Sequence, residues 1–227
     1  LDEVADEYDA NNKVIFQNES ERARQHFATV HRKIKDWSKS QQCMVPDCGQ
    51  HSIARSHTVP KSMSLRVIEE NGHVLVPSFD QRRGEPKVEK VGLSDATTFP
   101  GFCTTHELLF QNFESKGSID TEPEIYLQIY RAACRELFRA KFVVEQHDWM
   151  MAEYCKARDA GFIRLIRDRA RALGLQKEAD LGSLRFEGDS LVDGANEHIL
   201  PVRGLITHLQ LHLLPALERA VFHAVES

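Results

Sequence analysis

Four residues of metal-binding type stand in two pairs. Cys43 and Cys48 close the stretch "CMVPDC", which holds Pro46 and is followed at once by Gly49; Cys103 and His106 open "GFCTTHELLF". Thiolate sulfur and imidazole nitrogen are the ligands of closed, tetrahedral zinc sites. Alone, the first pair reads better as two unrelated thiols, and His106 as the start of a helix. Together, a pair on a tight turn and a pair where "THELLFQNFE" begins a helical pattern form a Cys3His set. Zn2+ there would anchor a segment with few large core residues.

The remaining cysteines and histidines fit other roles. Cys134 and Cys155 fall inside helical patterns and are expected to pack as small apolar side chains. Five cysteines cannot all pair, and a chain of 227 residues can build a core without staples, so a disulfide framework is not expected and a reducing cytoplasm is. His208 and His212 share a helix face, but no third ligand accompanies them.

The elements that must position the first set fall into three regions, 1–40, 41–120 and 121–227. Ahead of it, Phe27, Val30, Ile34 and Trp37 recur at helical spacing between Ser20 and Ser40, predicting an amphipathic helix with a basic opposite face. Residues 41–120 are richer in proline, glycine and β-branched side chains; "GHVLVPSF" predicts a short strand and "DQRRGEPKVEK" a charged hairpin tip or loop. From Thr121 the pattern is helical. Thr121 and Glu124 form a capping box, a helix is expected to about His147, Trp149 to Leu173 continues the pattern with Gly174 as C-cap, then come the loop "GDSLVDGANEH" and a helix from Val202 to Val225 bent near Pro215. The expected class is α+β and mostly helical: a small zinc-bound unit flanked by an N-terminal helix and a C-terminal helical region.

The order "CMVPDC", "SHTVP", a strand, then "GFCTTHE" entering a helix resembles the HNH, or ββα-metal, endonuclease superfamily with its zinc-stapled treble clef. It is especially similar to bacterial HNH-like proteins with "SH-x-(I/V)-x-K", "ENGHV" and "GFC-x-x-H-(D/E)-x-x-x-F" elements. The resemblance covers roughly residues 41–115 and implies metal-dependent hydrolysis of nucleic-acid phosphodiesters. It makes His57 the general base, accepting a proton from the attacking water. A catalytic Mg2+ or Mn2+ would neutralise the developing charge. Two positions depart from the family pattern: its metal-binding Asp is Ser56 here, and its metal-binding His is Glu107. Glu107, helped by Asn112, is then the candidate ligand for the ion. His73 in "ENGHVLVP" would support the same cleft if its strand pairs with that of His57; otherwise it is a hairpin histidine beside Gly72. Phage defence is a setting implied by the resemblance alone.

Composition bounds the partners. Apolar residues make up 41% and charged residues 28%, so a packed core is expected and general disorder is not. No run of about 18 apolar residues appears and the amino end is acidic, which predicts a soluble, unexported chain. It opens on Leu rather than Met, as a piece of a longer protein would. Net charge is -5, yet Arg22 to Lys39 and Lys156 to Lys177 are locally basic. Arg55, Lys61, Arg164, Arg167 and Arg171 are the candidate nucleic-acid contacts, to DNA before RNA, although charged helix faces are also commonly just solvated. The C-terminal helices could serve a homo-oligomer or a partner protein. Two other classes compete with a nuclease: a non-catalytic zinc-stabilised nucleic-acid-binding or protein-interaction module, and a helical scaffold that the zinc motif merely caps.

Overall fold

The computed structural model describes residues 41–80, 85–173 and 190–223, with positions 29, 32, 33, 35–37 and 39 ahead of them. These residues are mostly helical, with two small two-stranded sheets. Contacts divide the chain into two units, Leu1–Lys33 with Val143–Val202, and Ile34–Phe142 with Arg203–Ser227. Every residue of the Cys/His set belongs to the second. Of the predicted helix between Ser20 and Ser40, positions 29, 32, 33 and 35–37 are helical, and the rest lies outside the described residues.

Strand β1 (Ser56–His57) pairs antiparallel with β4 (Thr98–Phe99), Ser56 opposite Phe99 and His57 opposite Thr98. Strand β2 (His73–Asp80) pairs antiparallel with β3 (Glu85–Gly92) from His73–Gly92 to Asp80–Glu85. The strand expected at "GHVLVPSF" is therefore β2. The "DQRRGEPKVEK" stretch closes that hairpin, one of its two expected forms: Asp80 pairs with Glu85 and residues 85–90 are strand, while 81–84 lie outside the described residues. Pro77 and Pro86 do not forbid this, because a two-stranded ladder leaves each strand an open edge where a missing N–H breaks no pairing. The chain enters β2 through a two-residue turn: Asn71 and Gly72 have φ of 52° and 77°, and Glu70 and His73 exchange both backbone hydrogen bonds.

Helix α1 (Thr104–Glu107) runs through a 3-10 turn, Leu108–Phe110, into α2 (Gln111–Lys116). Gly117 ends it at φ 76°, its N–H donating to the Phe113 carbonyl at 3.0 Å. Helix α3 (Glu122–Ala172) starts as predicted: the Glu124 carboxylate accepts the Thr121 N–H at 3.1 Å. It runs on past His147 through the stretch from Trp149 that continues the pattern, and neither proline nor glycine occurs between Pro123 and Gly161 to end it. The expected C-cap, Gly174, lies outside the described residues.

Helix α4 (Ser190–His208) begins well before the predicted Val202, so much of "GDSLVDGANEH" is helix. Asp193 in its first turn favours that start through the helix dipole. A π turn, Leu209–Leu213, precedes α5 (Leu214–Glu218), whose first turn holds Pro215, and a second π turn, Arg219–His223, follows. The wider turn falls where the proline ring would crowd the carbonyl four residues back, the predicted position of irregularity.

The main core of the second unit is aromatic. Phe99, Phe102, Phe110, Phe113 and Tyr130 are buried with Cys134, Leu137, Leu209, Leu214 and Leu217, and the Phe102 and Phe110 rings lie 4.9 Å apart. Cys134 packs there as an apolar side chain, as expected. A smaller cluster, Leu65, Val74 and Ala96, holds the β2–β3 hairpin. Helix α3 ties the irregular region down: Tyr130 Oη donates to the Met44 carbonyl at 3.0 Å and Gln128 Nε2 to the Thr58 carbonyl at 2.8 Å. Among the described residues, no helix is long and apolar enough to cross a membrane.

Candidate metal centre

The Cys43–Cys48 turn is built by backbone bonds. The Cys43 N–H donates to Gln50 O at 2.9 Å and the Cys48 N–H to Val45 O at 3.3 Å, while Gln42 and His51 bridge the arms. Asp47 takes φ 58°, a left-handed geometry that Asp tolerates better than most residues. Both thiols therefore emerge from one tight loop.

The second pair comes from "PGFCTTH". Gly101 is required there, because a Cβ at that position would overlap the Phe99 ring. Cys103 is the N-cap of α1, and its carbonyl accepts the first helical bond, from Glu107 N–H at 2.9 Å. His106 sits on that first turn with Nδ1 turned inward, 3.4 Å from Cys43 Sγ and 3.3 Å from Cys103 Sγ; Cys48 Sγ is 4.0 Å from Cys103 Sγ.

All four ligand atoms lie within 4.8 Å of one another, and the set could hold a metal ion. Bond lengths of ~2.3 Å to sulfur and ~2.0 Å to nitrogen place tetrahedral ligands roughly 3.6–3.8 Å apart. The measured separations straddle those edges, so donor types and spacing are compatible with zinc. Burial pushes the Cys43 thiol up to about 11. Burial also opposes ionisation of Cys103, but the His106 N–H, the neighbouring thiols and the Thr105 N–H outweigh it and hold Cys103 below the usual thiol value. A metal ion would displace the protons that Cys43 retains. Among the described residues this is the only such cluster, and His208 and His212, both exposed and with rings 5.5 Å apart, gain no third ligand.

His57 is half-buried on β1, its Nδ1 3.1 Å from the Ala96 carbonyl. A carbonyl only accepts, so Nδ1 carries the proton and Nε2 keeps its lone pair in the neutral ring. Burial holds the His57 pKa below its ordinary 6.5, and the Arg131 charge lowers it further, against the opposing pull of the Ala96 carbonyl. The ring is neutral near pH 7.

Ser56, wholly buried, joins the centre to α1. Its hydroxyl donates to Glu107 Oε2 at 2.8 Å and accepts the Phe102 N–H at 3.3 Å. Glu107 Oε1 accepts from Arg131 Nη2 at 2.7 Å, and Arg131 Nη1 reaches Glu114 Oε1 at 2.5 Å. The guanidinium is fully buried and lies 4.2 Å from the Phe110 ring centroid. Both oxygens of Glu107 are thus engaged in charge-assisted or hydroxyl hydrogen bonds.

The other predicted residues are dispersed. His73 bonds through Nδ1 to the Asn71 carbonyl at 2.8 Å and is exposed; its strand pairs with β3, so the condition for joining His57 by strand pairing is not met. Asn112 is exposed on α2. Arg55 pairs with Asp95 at 3.0 Å. Lys61 lines a cleft described below. Arg164, Arg167 and Arg171 lie along α3 in the other unit; Arg167 and Arg171 are exposed, and Arg171 stands 3.7 Å from Asp168.

Sequence reasoning missed Arg131 and Glu114. The available signal was a lone arginine between Gln128 and Cys134, on the helix face that also carries Cys134 and Phe138. Comparison of the chain with family models, with curated proteins and with solved structures finds no match.

Proposed function

We propose that the second unit is a zinc-stapled, treble-clef-like module of HNH type that binds nucleic acid without a built-in catalytic ion. The observation that carries this reading is the Ser56–Glu107–Arg131 chain. At the two positions where the family holds its ion, Ser56 spends its proton on Glu107, and Glu107 spends its second oxygen on a buried guanidinium. A divalent ion needs oxygen ligands free to turn toward it and tolerates an adjacent fixed cation poorly. These residues do not fit Mg2+ or Mn2+. Zinc, in contrast, suits the Cys43, Cys48, Cys103 and His106 donors, and its contribution there is to hold the turn onto α1.

A second reading, an HNH-type endonuclease, is favoured by His57. A neutral imidazole with its Nδ1 proton fixed on Ala96 is a competent acceptor at Nε2. One experiment separates the two: plasmid DNA is incubated with wild type and His57→Ala in Mg2+ or Mn2+, with mobility shift read alongside nicking. A shift by both proteins and nicking by neither is expected. Nicking by wild type that His57→Ala abolishes overturns the binding-only reading and installs the nuclease.

A further inference from the structure

Beside the His57 strand lies an open cleft of about 340 Å³ lined by Lys61, Ser62, Arg66, Gln111, Glu114 and Ser115. Every residue that lines it carries a hydroxyl, amide or charged group, which suits a hydrated polar ligand. The wall carrying the cations is a turn that follows β1. Ser64 and Arg66 donate backbone N–H groups to Pro60 and Lys61 carbonyls, both at 3.1 Å, and buried Leu65 pins the turn to the smaller core. Ser62 Oγ donates to the Glu114 carbonyl at 2.6 Å and joins that turn to α2.

The charge balance of the cleft favours an anion. Two cations face one acid, Glu114, which also shares the buried Arg131 with Glu107. Lys61 and Arg66 have no ion-pair partner among the described residues, whereas Arg55, Lys87 and Lys116 each pair with an acid. Two uncompensated cations, with Gln111 and Ser115 as neutral donors opposite, match the oxygens of a phosphate group. Lys61 and Glu114 are also near enough to His57 for their charges to act on its imidazole.

The geometry points to this cleft as the seat of a backbone phosphodiester of bound nucleic acid, held by Lys61 and Arg66 with Gln111 and Ser115 as hydrogen-bonding partners. The inference rests on the nucleic-acid reading above and names the surface that performs it. It is independent of whether His57 cuts, since phosphate contacts position a strand whatever chemistry follows.

The test is fluorescence anisotropy of a short labelled duplex over a salt series, using zinc-loaded protein. Wild type, Lys61→Ala/Arg66→Ala and Ser115→Glu are compared, with Lys90→Ala, an exposed cation on β3, as control. The slope of log K against log salt falls by about 0.9 for each phosphate no longer neutralised, and the two cations share one phosphate, so the double variant should lose about 0.9 from its slope. Ser115→Glu should weaken binding at low salt, Lys90→Ala should match wild type, and circular dichroism and zinc content should stay constant throughout. Wild-type affinity and slope in the double variant overturn the cleft while leaving the nucleic-acid reading intact. No duplex binding by wild type overturns both. If inorganic phosphate binds wild type and not the double variant while duplex affinity is unchanged, the cleft is a free-phosphate site and the inference fails.

Discussion

Ser56 and Glu107, 51 residues apart in sequence, share a hydrogen bond of 2.8 Å between Oγ and Oε2. The same hydroxyl oxygen accepts the Phe102 N–H next to the candidate ligand Cys103. One buried serine therefore connects the His57 strand, the approach to Cys103 and the first turn of α1. Ser56→Ala should leave the Phe102 N–H without an acceptor in the core and cost about 2 kcal/mol in denaturant unfolding. An unchanged midpoint and slope would show that this junction contributes nothing.

Arg131 holds two carboxylates from a site with no exposure, whereas Glu107 and Glu114 keep 21% and 27% of their side-chain surface. Removing the guanidinium leaves both carboxylates unpaired but able to draw some water. Arg131→Met should lose about 3 kcal/mol, the lower end for a broken buried pair. Arg131→Lys should recover little, because an ammonium cannot span both acids as the planar fork does. Combining Arg131→Met with Glu107→Gln and Glu114→Gln should restore part of the loss in the same unfolding assay, and no recovery would point to packing rather than charge.

The His57 titration has a definite sign. Burial holds its folded pKa below 6.5, so between the folded and unfolded values the unfolded chain binds more protons. This contribution to stability is complete above about 6.5 and is lost as pH falls through the folded value. Wild type should thus lose more stability than His57→Gln when pH drops across that window. A proton NMR titration should place the His57 midpoint below 6.5; a midpoint above it would contradict the burial argument.

Zinc should be measurable directly. Metal analysis of purified protein is expected to give one zinc per chain, and Cys103→Ser should remove it. Structural zinc is worth on the order of 10 kcal/mol in small zinc peptides, so chelation should lower the melting temperature even with α3 and its aromatic core to support the unit. Cys155→Ser, on α3 outside the set, should keep both metal and melting temperature.

The metal set was legible in the chain because its chemistry is local. Each pair lies within a few residues, on a turn marked by proline and glycine or at a helix start, and residue type alone names the ligand atoms. Helical periodicity likewise revealed the capping box of α3 and the irregularity near Pro215. It did not by itself fix that α3 runs as one helix from Glu122 to Ala172, because the polar stretch around His147 and Asp148 interrupts the apolar pattern without proline or glycine to end the helix.

Everything that decides chemistry at His57 is non-local. Its Nδ1 partner is a backbone carbonyl 39 residues away, which no side-chain identity at Ala96 could announce. Glu107 looked like a free ligand beside His106 until the fold placed Ser56 on one oxygen and Arg131 on the other. Arg131 itself was one cation in a helical pattern; burial against Phe110 turned it into the fixed counter-charge of two acids. Residue type and spacing determined which atoms can ligate a metal. Only tertiary packing, by spending or sparing lone pairs and protons, decided which of the remaining groups are free to act.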